Sequence, residues 1–214
     1  MIRSCVRALL IISLASLIAC GGARKKKDEP LPAKVHAQDI QADYYPLRVG
    51  NSWTYKVNTM GEQTEQTISI GGTEGKFFKL EGGAAGLIHR DGYGIRDQHR
   101  YLLKFPVELG GKWQSILAHD SIERYEITAV GEQVEVPAGT FKGCTVVSSK
   151  QSIDKDKALG NRVWFAPGVG IVRLQTSVHV AGQAPAPQVT LELLKYKVSP
   201  TEPPPVLKPE DKAP

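Results

Sequence analysis

Leu87-Ile88-His89-Arg90-Asp91-Gly92-Tyr93-Gly94-Ile95-Arg96 decides the fold. Asp-Gly is a hairpin signal, because the tightest antiparallel turn needs positive φ. The residues on either side, Leu87 to Arg90 and Tyr93 to Arg96, then read as two short strands. Further out the same grammar repeats. Trp53-Thr54-Tyr55-Lys56-Val57 alternates apolar and polar, and so does Arg124-Tyr125-Glu126-Ile127-Thr128-Ala129. A period of two puts Trp53, Tyr55 and Val57 on one face of a strand, and Tyr125, Ile127 and Ala129 on one face of another. Turn punctuation comes at Gly71-Gly72, Gly82-Gly83, Gly110-Gly111, Pro137-Ala138-Gly139 and Pro167-Gly168. Such short, fairly regular spacing belongs to all-β meanders. No window of a dozen residues keeps a 3.6-residue apolar period, so little or no helix is expected. The expected fold is all-β. It is a single domain of curved antiparallel sheet, a sandwich or half-barrel, over residues 44–198.

Two details refine this reading. In the last strand Val189, Leu191 and Leu193 share a face, but Leu194, Tyr196 and Val198 continue the apolar set out of phase. A β-bulge near Leu193-Leu194 restores the register; burial on both faces is the alternative. There is also an internal echo. Tyr45-Pro46-Leu47-Arg48-Val49-Gly50-Asn51-Ser52-Trp53 matches Phe105-Pro106-Val107-Glu108-Leu109-Gly110-Gly111-Lys112-Trp113 in kind, position for position. Either the domain has duplicated halves or a common turn type has arisen twice.

The ends of the chain have a different character. Residues 1–19 carry basic Arg3 and Arg7 and then an apolar run from Ala8 to Ile18, the layout of a secretory signal peptide. That run is too short to span a bilayer, which needs about 20 residues. Residues 20–43 read as a tether, with Arg24-Lys25-Lys26-Lys27, Pro30 and Pro32 and few large apolar side chains. Residues 199–214 form a Pro-rich tail. Neither end buries enough surface to offset its ordering entropy, so both are expected to be disordered. The tetrad of basic residues is either attracted to anionic headgroups or simply solvated.

Leu17-Ile18-Ala19-Cys20, followed by Gly21, resembles a bacterial lipobox. The resemblance implies cleavage before Cys20 and lipid attachment to its thiol and new amino group. It further implies a domain hung from a membrane, with Gly21 pointing to the periplasmic face of the outer membrane. An ordinary signal peptide, with Cys20 lost or free, is the alternative. Three further segments carry a second resemblance. They are Tyr45-Pro46-Leu47 with Gly50, Trp53 and Tyr55; Val136-Pro137-Ala138-Gly139-Thr140-Phe141 with Cys144; and Trp164 to Val172. These resemble segments that recur in uncharacterised bacterial envelope lipoproteins. That likeness implies one domain of curved antiparallel sheet and brings no established activity.

Composition narrows the function. The chain has 214 residues and three cysteines, Cys5, Cys20 and Cys144. Cys5 leaves with the signal peptide and Cys20 is the lipidation candidate. Cys144 then has no partner for a disulfide, and its apolar surroundings in sequence make it a buried small hydrophobe. Residues 44–198 hold 18 Lys+Arg against 15 Asp+Glu, spread along the chain, so no nucleic-acid footprint is expected. His36, His89, His99, His119 and His179 show no metal-motif spacing, and no cofactor or metal is expected. There is no Gly-x-Ser-x-Gly, His-Glu-x-x-His or P-loop. Trp53, Trp113, Trp164 and Phe165 either pack a core or line a cavity for an apolar ligand. The sequence favours a non-enzymatic, membrane-tethered envelope lipoprotein with a binding or assembly role. Its partners are the membrane, through the N-terminal lipid, and an unidentified protein or apolar ligand. A carrier or sensor of a lipid-like ligand is the second reading, and an unrecognised hydrolase the third.

Overall fold

Each alternating run becomes a strand, and strands pair with their neighbours in the chain at every junction but one. A computed structural model describes residues 42–83, 85–118 and 121–199. Residues 1–19, most of the expected tether and residues 200–214 of the tail lie outside the described residues, as does His119. The strands are β1 (Ser52–Thr59), β2 (Glu62–Glu74), β3 (Phe77–Gly82), β4 (Gly86–Asp91), β5 (Gly94–Asp97) and β6 (Tyr101–Lys104). They continue as β7 (Lys112–Ala118), β8 (Ser121–Val136), β9 (Gly139–Ser152), β10 (Lys157–Ala166), β11 (Gly170–Val180) and β12 (Ala186–Lys197). Among the described residues there is no helix.

All twelve strands form one antiparallel sheet in the order β6-β5-β4-β3-β2-β1-β12-β11-β10-β9-β8-β7. The meander is bent round until its first and last strands pair, from Ser52 opposite Lys197 to Thr59 opposite Val189. The wall is thus a nearly closed barrel. The ladder breaks only between β6 and β7, neighbours in sequence. There a side chain bridges the gap: the Trp113 indole Nε1 donates to the Tyr101 carbonyl at 2.9 Å.

Period-two alternation turns Tyr55, Ile68, Ile88, Tyr125, Val147 and Phe165 inward. The expected bulge in β12 is present: Thr54 pairs with Lys195 but Tyr55 with Leu193, so Leu194 is the extra residue. The Asp91-Gly92 hairpin forms with its turn one residue later than expected. Asp91 pairs with Gly94, leaving Gly92 and Tyr93 as the loop. The reason is local: the Asp91 carboxylate accepts from the backbone N–H of Tyr93 at 2.8 Å and of Gly94 at 3.0 Å. Gly71-Gly72 is not a turn. It is a bulge inside β2, between Ile70 opposite Leu80 and Gly72 opposite Lys79. A Cβ on Gly71 would lie 2.1 Å from the Glu81 carboxyl carbon, so glycine here admits a neighbouring side chain.

The internal echo is structural. Gly50 donates to the Ile70 carbonyl at 2.8 Å and Ile70 donates back to Asn51 at 2.9 Å. Gly110 donates to Ile127 at 2.8 Å and Ile127 donates back to Gly111 at 2.9 Å. The same backbone turn therefore opens β1 and β7, dividing the barrel into two runs of six strands. The aromatic packing differs between the halves. Trp53 stacks on Tyr45 (4.9 Å, 13°), whereas Trp113 stacks on Tyr125 (5.1 Å, 4°).

Because the strands alternate in direction, the chain enters and leaves at one end of the barrel. Tyr44, Tyr45, Pro46 and Leu47 are buried at this end. Asn51, 2 % exposed, ties the two ends together. Its Nδ2 donates to Pro46 and Ser199 carbonyls, and its Oδ1 accepts from the Ser199 N–H at 2.8 Å. The distal part of the β8–β9 hairpin turns back onto β10–β12. Ala138 N–H donates to the Leu193 carbonyl at 2.9 Å, and Arg173 donates to the Glu135 carbonyl at 2.5 Å. Cys144 is fully buried and free. Burial, with the nearby Glu132 carboxylate, pushes its thiol up to about 11.

Candidate functional site

A cavity of about 580 Å³ occupies the barrel interior. Its walls are apolar over most of their length. Tyr55 and Ile68 come from β1 and β2, Ile88 from β4, Val147 from β9, Phe165 from β10 and Leu191 from β12. Tyr45 lies at the end where the chain enters. At the other end the cavity is bordered by Ala85 and by Gln98, His99 and Arg100 of the β5–β6 loop. The mouth therefore lies at the end opposite Tyr45 and Ser199.

Polar groups gather on one side near that mouth. Glu123 on β8 is 2 % exposed. Its carboxylate accepts from Arg100 Nη1, the Tyr125 hydroxyl and the Ser149 hydroxyl, each at 2.6 Å. The network runs on across the sheet. Asn161 Nδ2 reaches Ser149 Oγ at 3.4 Å, and the Thr176 hydroxyl donates to Asn161 Oδ1 at 2.8 Å. Asp97 fixes the loop that carries Arg100. Its carboxylate accepts from the N–H groups of His99 and Arg100, both at 2.8 Å, and from Arg100 Nε at 3.1 Å. Burial alone would push the Glu123 carboxyl toward neutrality. Hydrogen bonds from Ser149 and Tyr125, with the Arg100 guanidinium, overcome this and hold it below the usual carboxylate range. Burial and the Glu123 carboxylate push the Tyr125 phenol up in turn.

Held below the usual carboxylate range by three donors, the Glu123 carboxylate is a weak general base. The arrangement suits recognition better: an apolar tube with a polar, ordered rim. Among the described residues no three His, Cys, Asp or Glu side chains converge as a metal site.

The four aromatic residues singled out in sequence do not converge. Phe165 lines the cavity. Trp53 is fully buried at the closed end, with its Nε1 donating to the Val169 carbonyl at 2.6 Å. Trp113 spans the β6–β7 gap. Trp164 alternates to the opposite face from Val163 and Phe165, where it donates to Glu132 at 3.0 Å and lies under Arg162 and Arg173. Leu17, Ile18, Ala19 and Cys20 lie outside the described residues. Sequence reasoning missed Arg100, Glu123, Ser149, Asn161 and Thr176. One available signal was parity, since Glu123 shares its face with Tyr125 and Ile127.

No family model and no curated protein matches the chain. Among solved structures, it is similar to a protein of Parabacteroides distasonis provisionally designated a lipoprotein, at 14 % identity and a TM-score of 0.41. The match covers 75 % of this chain and 100 % of that one. A likeness of that extent is no guide to function.

Proposed function

We propose that the chain is a lipid-anchored protein of the bacterial envelope whose barrel binds a small apolar or amphipathic ligand. One observation carries the binding part: the interior cavity of about 580 Å³, apolar along its walls and polar at its mouth. That volume falls in the range of small-molecule sites, about 300–1,000 Å³. The ligand places its apolar body against Ile68, Ile88, Val147 and Leu191 and its polar end beside Arg100. The anchor part rests on the lipobox-like Leu17-Ile18-Ala19-Cys20, with the periplasmic face of the outer membrane as the location. Binding without chemistry fits a Glu123 carboxylate held ionised by three donors.

A specific observation also favours docking of a partner. β7 is an edge strand that exposes Ile116 and Leu117, the features that strand addition uses.

The full chain purified from its native host tests both parts. Its intact mass, compared with Cys20→Ser, should show a diacylglyceryl increment that the variant lacks. Organic extraction should release a bound apolar molecule that Val147→Trp, which fills the cavity, no longer retains. A soluble, unmodified wild type rejects the anchor. An empty wild type that also fails to take up a fluorescent fatty-acid probe rejects the ligand.

A further inference from the structure

The outer face of β7–β11 carries a second depression, a groove of about 800 Å³. Strand pairing lays its floor out in two rows that cross the strands. One row is Gln114, Arg124, Lys150, Gly160 and Ser177, each opposite the next. The other is Lys112, Glu126, Ser148, Arg162 and Gln175. All ten line the groove. With strands about 4.8 Å apart, each row spans about 19 Å.

Its charge is one-sided. Lys112, Arg124, Lys150 and Arg162 face a single acid, Glu126, which Lys112 meets only at 3.6 Å. Among the described residues Arg124, Lys150 and Arg162 have no carboxylate partner. Arg124 and Lys150 stand directly opposite each other on β8 and β9. Like charges in that position destabilise a sheet. An anion lying between them reverses the sign. The His179 ring lies over Gly160, which has no side chain to oppose it: a Cβ on Gly160 would lie 2.4 Å from His179 Nε2.

We propose that this groove binds an acidic oligosaccharide lying across the strands. The proposal is independent of the interior cavity. Arg124, Lys150 and Arg162, on three adjacent strands, pair with the acidic groups of the sugar chain. Ser148 between them, and Gln114, Ser177 and Gln175 at the row ends, hydrogen-bond its hydroxyls. A bilayer surface does not reach a concave floor, and a peptide strand adds along a sheet edge rather than across five strands.

Isothermal titration of the full chain tests this with three probes: hexagalacturonate, a sulfated heparin hexasaccharide and neutral maltohexaose. At least one acidic hexamer should bind, with affinity falling as salt rises. The Arg124→Gln/Lys150→Gln double variant should bind at least tenfold more weakly. Its melting temperature should be no lower than wild type, since the variant removes a like-charge pair. The proposal fails if neither acidic hexamer binds, if maltohexaose binds equally well, or if the double variant is unaffected. It also fails if inorganic phosphate at equal charge displaces the sugar completely, or if only phosphatidylglycerol vesicles bind.

Discussion

Trp113 donates its indole hydrogen to the Tyr101 carbonyl at 2.9 Å, across the one gap in the barrel wall. Every other junction between adjacent strands is a ladder of backbone hydrogen bonds; this one is closed by side chains. Trp113→Phe keeps an aromatic ring against Tyr125 but removes the donor. It should lower stability by about 1 kcal/mol, and hydrogen exchange should quicken in β6 and β7 while β1 and β12 stay protected.

The second closure beside that gap is Arg100 to Glu123 at 2.6 Å. Glu123 is held below its ordinary carboxylate range. Its contribution is therefore fully present above the unfolded glutamate value, about 4.3, and lost as pH falls through the lower folded value. Chemical denaturation of wild type and Glu123→Gln should show a difference of about 2 kcal/mol at pH 7, the scale of hydrogen bonds to a charged group. The gap should narrow steadily on acidification below pH about 4. A pH-independent gap refutes this role for the charge.

Thr145 is fully buried, and its hydroxyl has no hydrogen-bond partner. A stranded hydroxyl costs about 1–3 kcal/mol. Thr145→Val keeps the β-branched shape that suits a strand and removes that cost. A midpoint of urea unfolding that rises by the equivalent of about 1 kcal/mol is expected, with no change in slope.

Cys144 reacts only when the barrel opens. With its thiol pushed up to about 11 and no exposed surface, Cys144 of the folded protein should resist a thiol reagent at neutral pH. Full reaction should appear in denaturant. Rapid labelling at Cys144 of the native chain, located by peptide mass, would contradict the packing of β9.

The strand pattern is legible in the sequence because period two leaves a direct trace there. Trp53 and Tyr55 announce β1, and the phase change at Leu194 announces its bulge. The chemistry of the mouth is not legible in that way. Arg100 meets Glu123 only because the barrel brings the β5–β6 loop over β8, and no periodicity links positions that far apart. Ser149, Asn161 and Thr176 each read alone as an ordinary polar residue in a strand. The basic groove is hidden for the same reason. Arg124, Lys150 and Arg162 are scattered along the chain, and only cross-strand register gathers them. Trp164 misleads in the opposite sense: it is buried, but on the far side of the wall from the cavity.

Asn51 grips Ser199 through both atoms of its amide, so the chain enters and leaves the barrel at one point. Ser52 and Lys197 begin the ladder beside it. Tension applied between the two tails meets that clamp first and then peels β1 from β12 one pair at a time. Tension between the entry point and an object held at the opposite mouth runs along the strands and loads their hydrogen bonds in shear, so that many must break together. The barrel yields to a pull on its own tails and resists a pull on what it holds.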